Sequence, residues 1–413
     1  MKTRELQRPS SGDSGTAQAV GGRGRLAVAF ITLLAIGTDL FVVSPLLPNI
    51  ADQYGISTAT AGNSVTVFSI AYMVGAPFIG SLADRMGRRT VLIAGLIGFC
   101  LANALTGIAP NFGVLLAARV LAGLAASGVT PSVQALVGQS APAERRGSWM
   151  AVAAAGFLIS LSIGAPTGTA VASLLSWRET FLGIGILAAI LAVLNVFAWP
   201  KGAGEVVPAA PQTAGAAAVE HVGLLDKVRA VTVTGLWAFA VYSLYTYIGT
   251  GLRDVAGLST GFVATALFVY GIGAVVGSLS GGRLADRYGS SRVVVSSLIL
   301  LSVLEVLLDL AFHAPTAVLI AALGLFALVA FPCLPAYQSR LVTAFPRVTG
   351  SVMAWNSCFM YLGTSLGAAA GGVLLSSAGF SWIAPVGAVV ALLGALVYAR
   401  WALPRDTAVD ATA

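Results

Sequence analysis

Two ionisable residues stand where few are tolerated. Asp39 lies in the run Gly37-Thr38-Asp39-Leu40-Phe41-Val42-Val43-Ser44-Pro45, and Arg119 lies in Leu115-Leu116-Ala117-Ala118-Arg119-Val120-Leu121. A carboxyl in the middle of a run of this length and apolarity costs at least ~2.5 kcal/mol on insertion scales, so it is a functional candidate by default. Uptake and release of a proton under a gradient is the chemistry that its type and place suggest. At ~1.5 Å rise per residue, Asp39 lies about 14 Å below the end of its apolar run and Arg119 about 10 Å below the start of its own. The matched depths predict an ion pair, and protonating Asp39 would weaken it.

The elements that must position these two follow from composition. Of 413 residues, 57% are hydrophobic and only 9% charged, against roughly 25% charged in soluble domains. Runs of 18 or more apolar residues predict twelve membrane-spanning helices, near 26–48, 59–82, 91–109, 112–136, 148–173, 181–199, 230–251, 260–284, 293–312, 316–337, 350–376 and 381–401. An even number puts both termini on one face. Lys2, Arg4, Arg8, Arg23, Arg25, Arg85, Arg88, Arg89, Arg145, Arg146, Lys201, Lys227, Arg229, Arg283, Arg287, Arg292, Arg340, Arg347, Arg400 and Arg405 fall on that face, against Arg178 and Arg253 on the other. The asymmetry predicts a multi-pass protein of the cell membrane with cytoplasmic termini, and it accounts for the net charge of +7 without a nucleic-acid partner.

Residues 1–25 read as a disordered cytoplasmic tail, 26–199 as one six-helix bundle, 200–229 as a Pro- and Ala-rich cytoplasmic linker, 230–401 as a second bundle, and 402–413 as a cytoplasmic C-terminal tail. The bundles repeat. Gly80-Ser81-Leu82-Ala83-Asp84-Arg85-Met86-Gly87-Arg88-Arg89 after the second span returns as Gly282-Arg283-Leu284-Ala285-Asp286-Arg287-Tyr288-Gly289 after the eighth, 202 positions on. Parallel repeats related by an axis along the membrane normal suit alternating access.

Several chemistries are excluded. None of the lysines Lys2, Lys201 and Lys227 follows a glycine, so there is no phosphate loop. Gly363-Thr364-Ser365-Leu366-Gly367 spells a hydrolase elbow but lies inside a span without a preceding strand. Cys100, Cys333 and Cys358 are isolated, and only His221 and His313 are present, so neither a metal nor another cofactor is expected and no catalytic residues are assigned.

The duplicated G-x-L-A-D-R-x-G loop, in a twelve-span chain, resembles the major facilitator superfamily, and within it the drug:proton antiporters and arabinose-efflux-like permeases. The resemblance runs from the first span to the last. It extends to Asp39 with Pro45 and Pro48, which is similar to the family's D-x-x-x-x-x-P-x-x-P signature, and to Arg119 with Gly123 in the fourth span. The resemblance implies an all-α fold of two pseudo-symmetric bundles and proton-coupled efflux of a small amphipathic molecule, with a sugar or metabolite exporter or a proton symporter as alternative. It implies that Asp84 latches the bundles together near Gly350, and that Gly80, Arg85, Gly87, Arg88, Gly282, Asp286, Arg287 and Gly289 belong to the switching loops. Gly80 and Gly282 would admit a neighbouring helix closely. The second copy departs from the pattern, with Ser290-Ser291-Arg292 where the first has Arg88-Arg89-Thr90. Gly156, Gly164, Pro166 and Gly168 resemble the antiporter motif of the fifth span and would form a hinge, although Ala165 replaces a common Gly.

For the cargo cavity the residues themselves point to Tyr242 and Tyr245 in the seventh span and Asn356 and Phe359 in the eleventh, since aromatic faces with one amide suit amphipathic cargo. Glu305 and Asp309, one turn apart near the end of the ninth span, read as interfacial and solvated, and Trp177-Arg178 as an interfacial anchor. A monomer embedded in lipid is expected. The competing expectation from another class is a membrane receptor or scaffold that moves nothing.

Overall fold

A computed structural model describes the backbone of residues 13–142, 146–200, 224–345 and 349–400. Among these residues the regular structure is helical, and twelve spans are long and apolar enough to cross a membrane: Gly22–Tyr54, Thr58–Ala83, Arg88–Ile108, Phe112–Ser140, Trp149–Leu174, Trp177–Ala198, Leu225–Val255, Thr260–Tyr288, Ser290–Ala311, Thr316–Ala344, Val352–Ser377 and Phe380–Arg400. Lipid offers no hydrogen bonds, so each span must satisfy its backbone internally, and the helix is the local solution. Where spans meet water, side chains close the ends. Asn111 Oδ1 accepts from the Val114 N–H at 2.9 Å and Ser57 Oγ from the Thr60 N–H at 3.1 Å.

Helix ends differ from the apolar runs. The first helix begins at Asp13 and continues to Tyr54, so residues 13–25 are helix rather than disordered tail. Hydropathy marks only the lipid-deep part of a helix, whereas backbone hydrogen bonding continues past it. For the same reason the seventh helix begins at Leu224, inside the expected linker. Residues 1–12, most of the linker (201–223) and the C-terminal tail (from 401) lie outside the described residues.

Both halves use one packing scheme: first on fifth span and seventh on eleventh, second on fourth and eighth on tenth, third on sixth and ninth on twelfth. The first–fifth seam is glycine-lined. A Cβ at Gly156 would meet the Phe30 carbonyl oxygen, and one at Gly164 would meet Thr38 Cα at 3.0 Å. The seventh–eleventh seam repeats the device, with Gly363, Gly367 and Gly371 against the carbonyls of Gly235, Phe239 and Ser243. Small residues let backbones approach where lipid supplies no hydrophobic drive. Large apolar side chains such as Phe78, Leu101, Ile186 and Val389 are exposed on the outer surface, where lipid is the solvent.

The tenth span is broken at Phe331-Pro332, between helices Thr316–Ala330 and Cys333–Ala344. A helix end leaves its last carbonyls without a backbone donor, and the Trp237 indole N–H from the seventh span bonds that of Ala330 at 2.8 Å. The repeated loops turn alike, Gly87 at φ 85°, ψ 138° and Gly289 at φ 86°, ψ 136°, a region that side chains avoid.

Candidate functional site

The first and fourth spans bring Asp39 and Arg119 together. One guanidinium nitrogen donates to both carboxylate oxygens, at 2.8 and 2.9 Å, and both residues are buried. The depth arithmetic reached this contact from an underestimated helix end, since the first helix runs on to Tyr54; the length of the Arg119 side chain closes the gap. Arg119 Nε and Nη2 have no hydrogen-bond partner. Instead the guanidinium carbon lies 4.7 Å from the Phe68 ring centroid and 5.5 Å from that of Phe181. The cation is therefore held by one acid and two aromatic rings. Losing the negative charge on Asp39 would leave it without a counter-ion.

The halves meet away from the arginine-rich face. Ser44 Oγ donates to the Tyr245 carbonyl at 2.5 Å, and the Tyr245 hydroxyl to the Phe41 carbonyl at 3.2 Å. Gly249 faces the Ser44-Pro45 backbone. Arg253, in a π-helical turn that ends the seventh span, donates to Asn49 Oδ1 at 2.7 Å. Deeper, the Tyr72 and Tyr361 rings stack across the seam at 3.7 Å. Arg178, the other cation of this face, ties three span ends, donating to the Gly107 carbonyl at 2.9 Å and the Tyr54 hydroxyl at 3.3 Å. Trp177 beside it is buried, so the pair is an internal tie rather than the interfacial anchor expected of it.

Toward the arginine-rich face the halves part around a cavity of ≈ 810 Å³ between the second, fourth and eleventh spans. Tyr72, Met73, Pro77, Trp355 and Phe359 line it, and Gly80, Ser81 and Arg88 lie at its mouth. Its volume and apolar wall with few polar groups are those of a small-molecule site. Of the four residues expected in a cavity, only Phe359 lines this one. Tyr242 and Tyr245 border a central void of ≈ 10 Å³, closed by Phe41, whose ring is 6.3 Å from that of Tyr242. Asn356 is buried and accepts from Thr234 Oγ1 at 2.6 Å. Which side chains line the cavity follows from the face toward which the halves part, and residue types alone do not fix that.

The loop residues divide. Among the described residues no atom of another helix lies within 4 Å of a Cβ placed on Gly80 or Gly282, so none of them makes the close approach expected there. Arg85, Asp286 and Arg287 are exposed, and Arg88 lines the cavity mouth. The Asp84 side chain and those of 346–351, where its latch partner Gly350 falls, lie outside the described residues. Arg89, left out of the sequence assignment, donates to the Trp199 and Val196 carbonyls at 2.7 and 2.9 Å and so closes the end of the sixth span. Gly156, Gly164 and Gly168 face the first span, and helix Arg146–Leu174 runs through Pro166. Glu305 is not interfacial: it is fully buried, both oxygens lack a partner, and it packs on Gly387 of the twelfth span.

Two six-helix bundles, sealed together toward one face and parted by a cavity toward the other, are the architecture of a membrane carrier. The profile of the Major Facilitator Superfamily matches residues 29–269 and 251–412, and the chain belongs to that superfamily of transporters, which are not enzymes. It is 29% identical to the MFS-type transporter YbcL of Bacillus subtilis over 90% of this chain and 95% of that one. It is 30% identical to the inner membrane transport protein YdhP of Escherichia coli K12 over 90% and 94%. It is 29% identical to a chloramphenicol resistance protein of Streptomyces lividans over 66% and 69%. The crystal structure of the human organic anion transporter MFSD10 shares the fold, with a TM-score of 0.67 at 18% identity over 91% of this chain and 99% of that one.

Proposed function

We propose that this transporter exports a small amphipathic molecule from the cytoplasm in exchange for protons, as a monomer in the cell membrane with its termini in the cytoplasm. The observation that carries the reading is the buried Asp39–Arg119 pair, with two of the arginine's nitrogens facing no acceptor. Cargo enters the ≈ 810 Å³ cavity from the cytoplasmic side. Protonation of Asp39 from the outside releases Arg119 and favours the arrangement in which cargo leaves; deprotonation inside resets the pair. The units 26–199 and 230–401 move as two bodies about the linker, and Asp84 latches them in the outward-open arrangement.

The apolar wall supports amphipathic cargo over sugars, which need dense polar contacts. The resistance-protein relative makes chloramphenicol the first compound to try. A pH-sensitive dye inside proteoliposomes, under an imposed gradient, should report proton flux on adding such drugs, and none with Asp39→Asn. Undiminished flux in that variant would overturn the coupling role of the pair. Flux with sugars alone would move the assignment to metabolite export.

A further inference from the structure

Glu305 has no place in the scheme above, yet it is a fully buried acid at membrane depth with neither oxygen bonded. On the twelfth span it faces Gly387, where an added Cβ would lie 2.8 Å from Oε1, so only the absence of a side chain makes room for the carboxyl. Among the described residues no cation pairs with it. The eighth span presents Tyr270, within electrostatic range of Glu305 and with its own buried hydroxyl unbonded. The tenth span carries no titratable residue in Thr316–Ala330; beyond the break come Cys333, Tyr337 and Arg340. The twelfth carries Tyr398 and Arg400 at its far end, and the ninth itself carries Asp309 one turn on and Arg292 at the other end.

Glu305 and Tyr270 are thus orphaned buried groups on neighbouring helices, and Tyr270 is the one of the two that adjoins the seam between the halves. The Tyr270 ring lies 5.2 Å from that of Tyr245. Tyr245 in turn borders the ≈ 10 Å³ void, about the space one water needs, and bonds the Phe41 carbonyl two residues from Asp39. An uncompensated charge at such depth is expensive, and a bound proton is the simplest cation to remove it.

We propose that Glu305 is a second, exchangeable proton site, in the C-terminal half, reached from the seam through the Tyr270 and Tyr245 hydroxyls. One proton adds to a carboxylate oxygen and leaves by the same O–H bond; nothing else is made or broken. The site stands apart from cargo, but its part in transport rests on the proton-coupled reading.

The test is infrared difference spectroscopy of the full-length protein in lipid during an upward pH step, following the C=O stretch of protonated carboxyls. Wild type and Asp39→Asn should both lose a band that Glu305→Gln lacks from the start. Tyr270→Phe, which keeps the acid, should keep the band and slow its loss about a hundredfold, the scale of a positioned proton relay. A band undiminished in Glu305→Gln, a wild-type band that survives the step, or exchange unaltered in Tyr270→Phe would overturn the proposal. In the dye assay Glu305→Gln should roughly halve the protons moved per cargo molecule, and an unchanged ratio would also count against it. Failure of Asp39→Asn to abolish flux would sink the coupling role of Asp39 and leave the infrared result for Glu305 standing.

Discussion

The N-terminal half keeps its buried acid paired with a cation, whereas the C-terminal half keeps its own alone. At the 202-residue offset that relates the two loops, Asp39 falls on Val241 and Arg119 on Ala321, so the charge pair has no counterpart in the second half. The C-terminal half fills its centre with tyrosines and the Trp237–Phe331 contact instead. What the halves share is backbone: glycine turns at nearly the same φ and ψ, helix pairs in the same order, and seams lined with glycine. Packing constraints act on both copies alike, while ionisable side chains, which the helix seams do not need, are free to diverge.

The sharpest way to break this comparison is to remove one charge at a time. Asp39→Ala leaves Arg119 buried between two phenyl rings with no acid, and about 3–5 kcal/mol of stability should be lost. The double variant Asp39→Leu with Arg119→Leu should recover most of that loss in thermal unfolding in detergent, yet move no cargo. Equal destabilisation by single and double variants would mean that the pair acts through shape and not through charge.

The seams come next. Gly156→Val and Gly363→Val each drive a side chain into a neighbouring backbone carbonyl, at Phe30 and Gly235 respectively. Overpacking of this kind should cost about 3 kcal/mol in either half. Melting midpoints that fall in one half only would show that the common packing scheme carries unequal loads.

How far the sequence reveals these differences depends on what fixes each feature. The spans are legible because a bilayer demands length and apolarity, and the Asp39–Arg119 pair because ionisable residues are rare there. The helix ends are not, since backbone bonding ignores the lipid boundary. Glu305 was legible in principle. It continues the buried stripe of Leu298, Leu301 and Leu308 at helical spacing, a stripe that Asp309 leaves, so helix face and not distance from the span end sets its burial. The cavity wall is not legible, because residue types alone do not say toward which face the halves part, and Trp355 and Met73 line the side on which they do. Tyr242 and Tyr245 lie on the sealed side of the same seam.

The turns test whether the repeat is conformational. Gly87→Ala and Gly289→Ala both force a side chain into positive φ, and each should cost about 1–3 kcal/mol. The two losses should match within experimental error in chemical or thermal unfolding, because the dihedrals match; a clear excess at Gly87 would indicate that the first loop carries strain of its own.

The smallest expected effect lies two residues further along each loop. Arg89 supplies two hydrogen bonds to the terminal carbonyls of the sixth span, whereas Ser291, at the offset of 202, only accepts one from the Tyr398 hydroxyl at 2.8 Å. Arg89→Ala should therefore cost about 1–2 kcal/mol and fray the end of the sixth span, visible as faster hydrogen exchange around Val196–Trp199. Ser291→Ala takes one acceptor from the buried Tyr398 hydroxyl and should cost about 1 kcal/mol, with exchange in the twelfth span unaltered. The contrast matters because both positions fasten a peripheral helix to one of the two repeated loops. If Ser291→Ala frayed the twelfth span as strongly as Arg89→Ala frays the sixth, the halves would be equal in fastening strength, and their divergence would be confined to Asp39, Arg119 and Glu305.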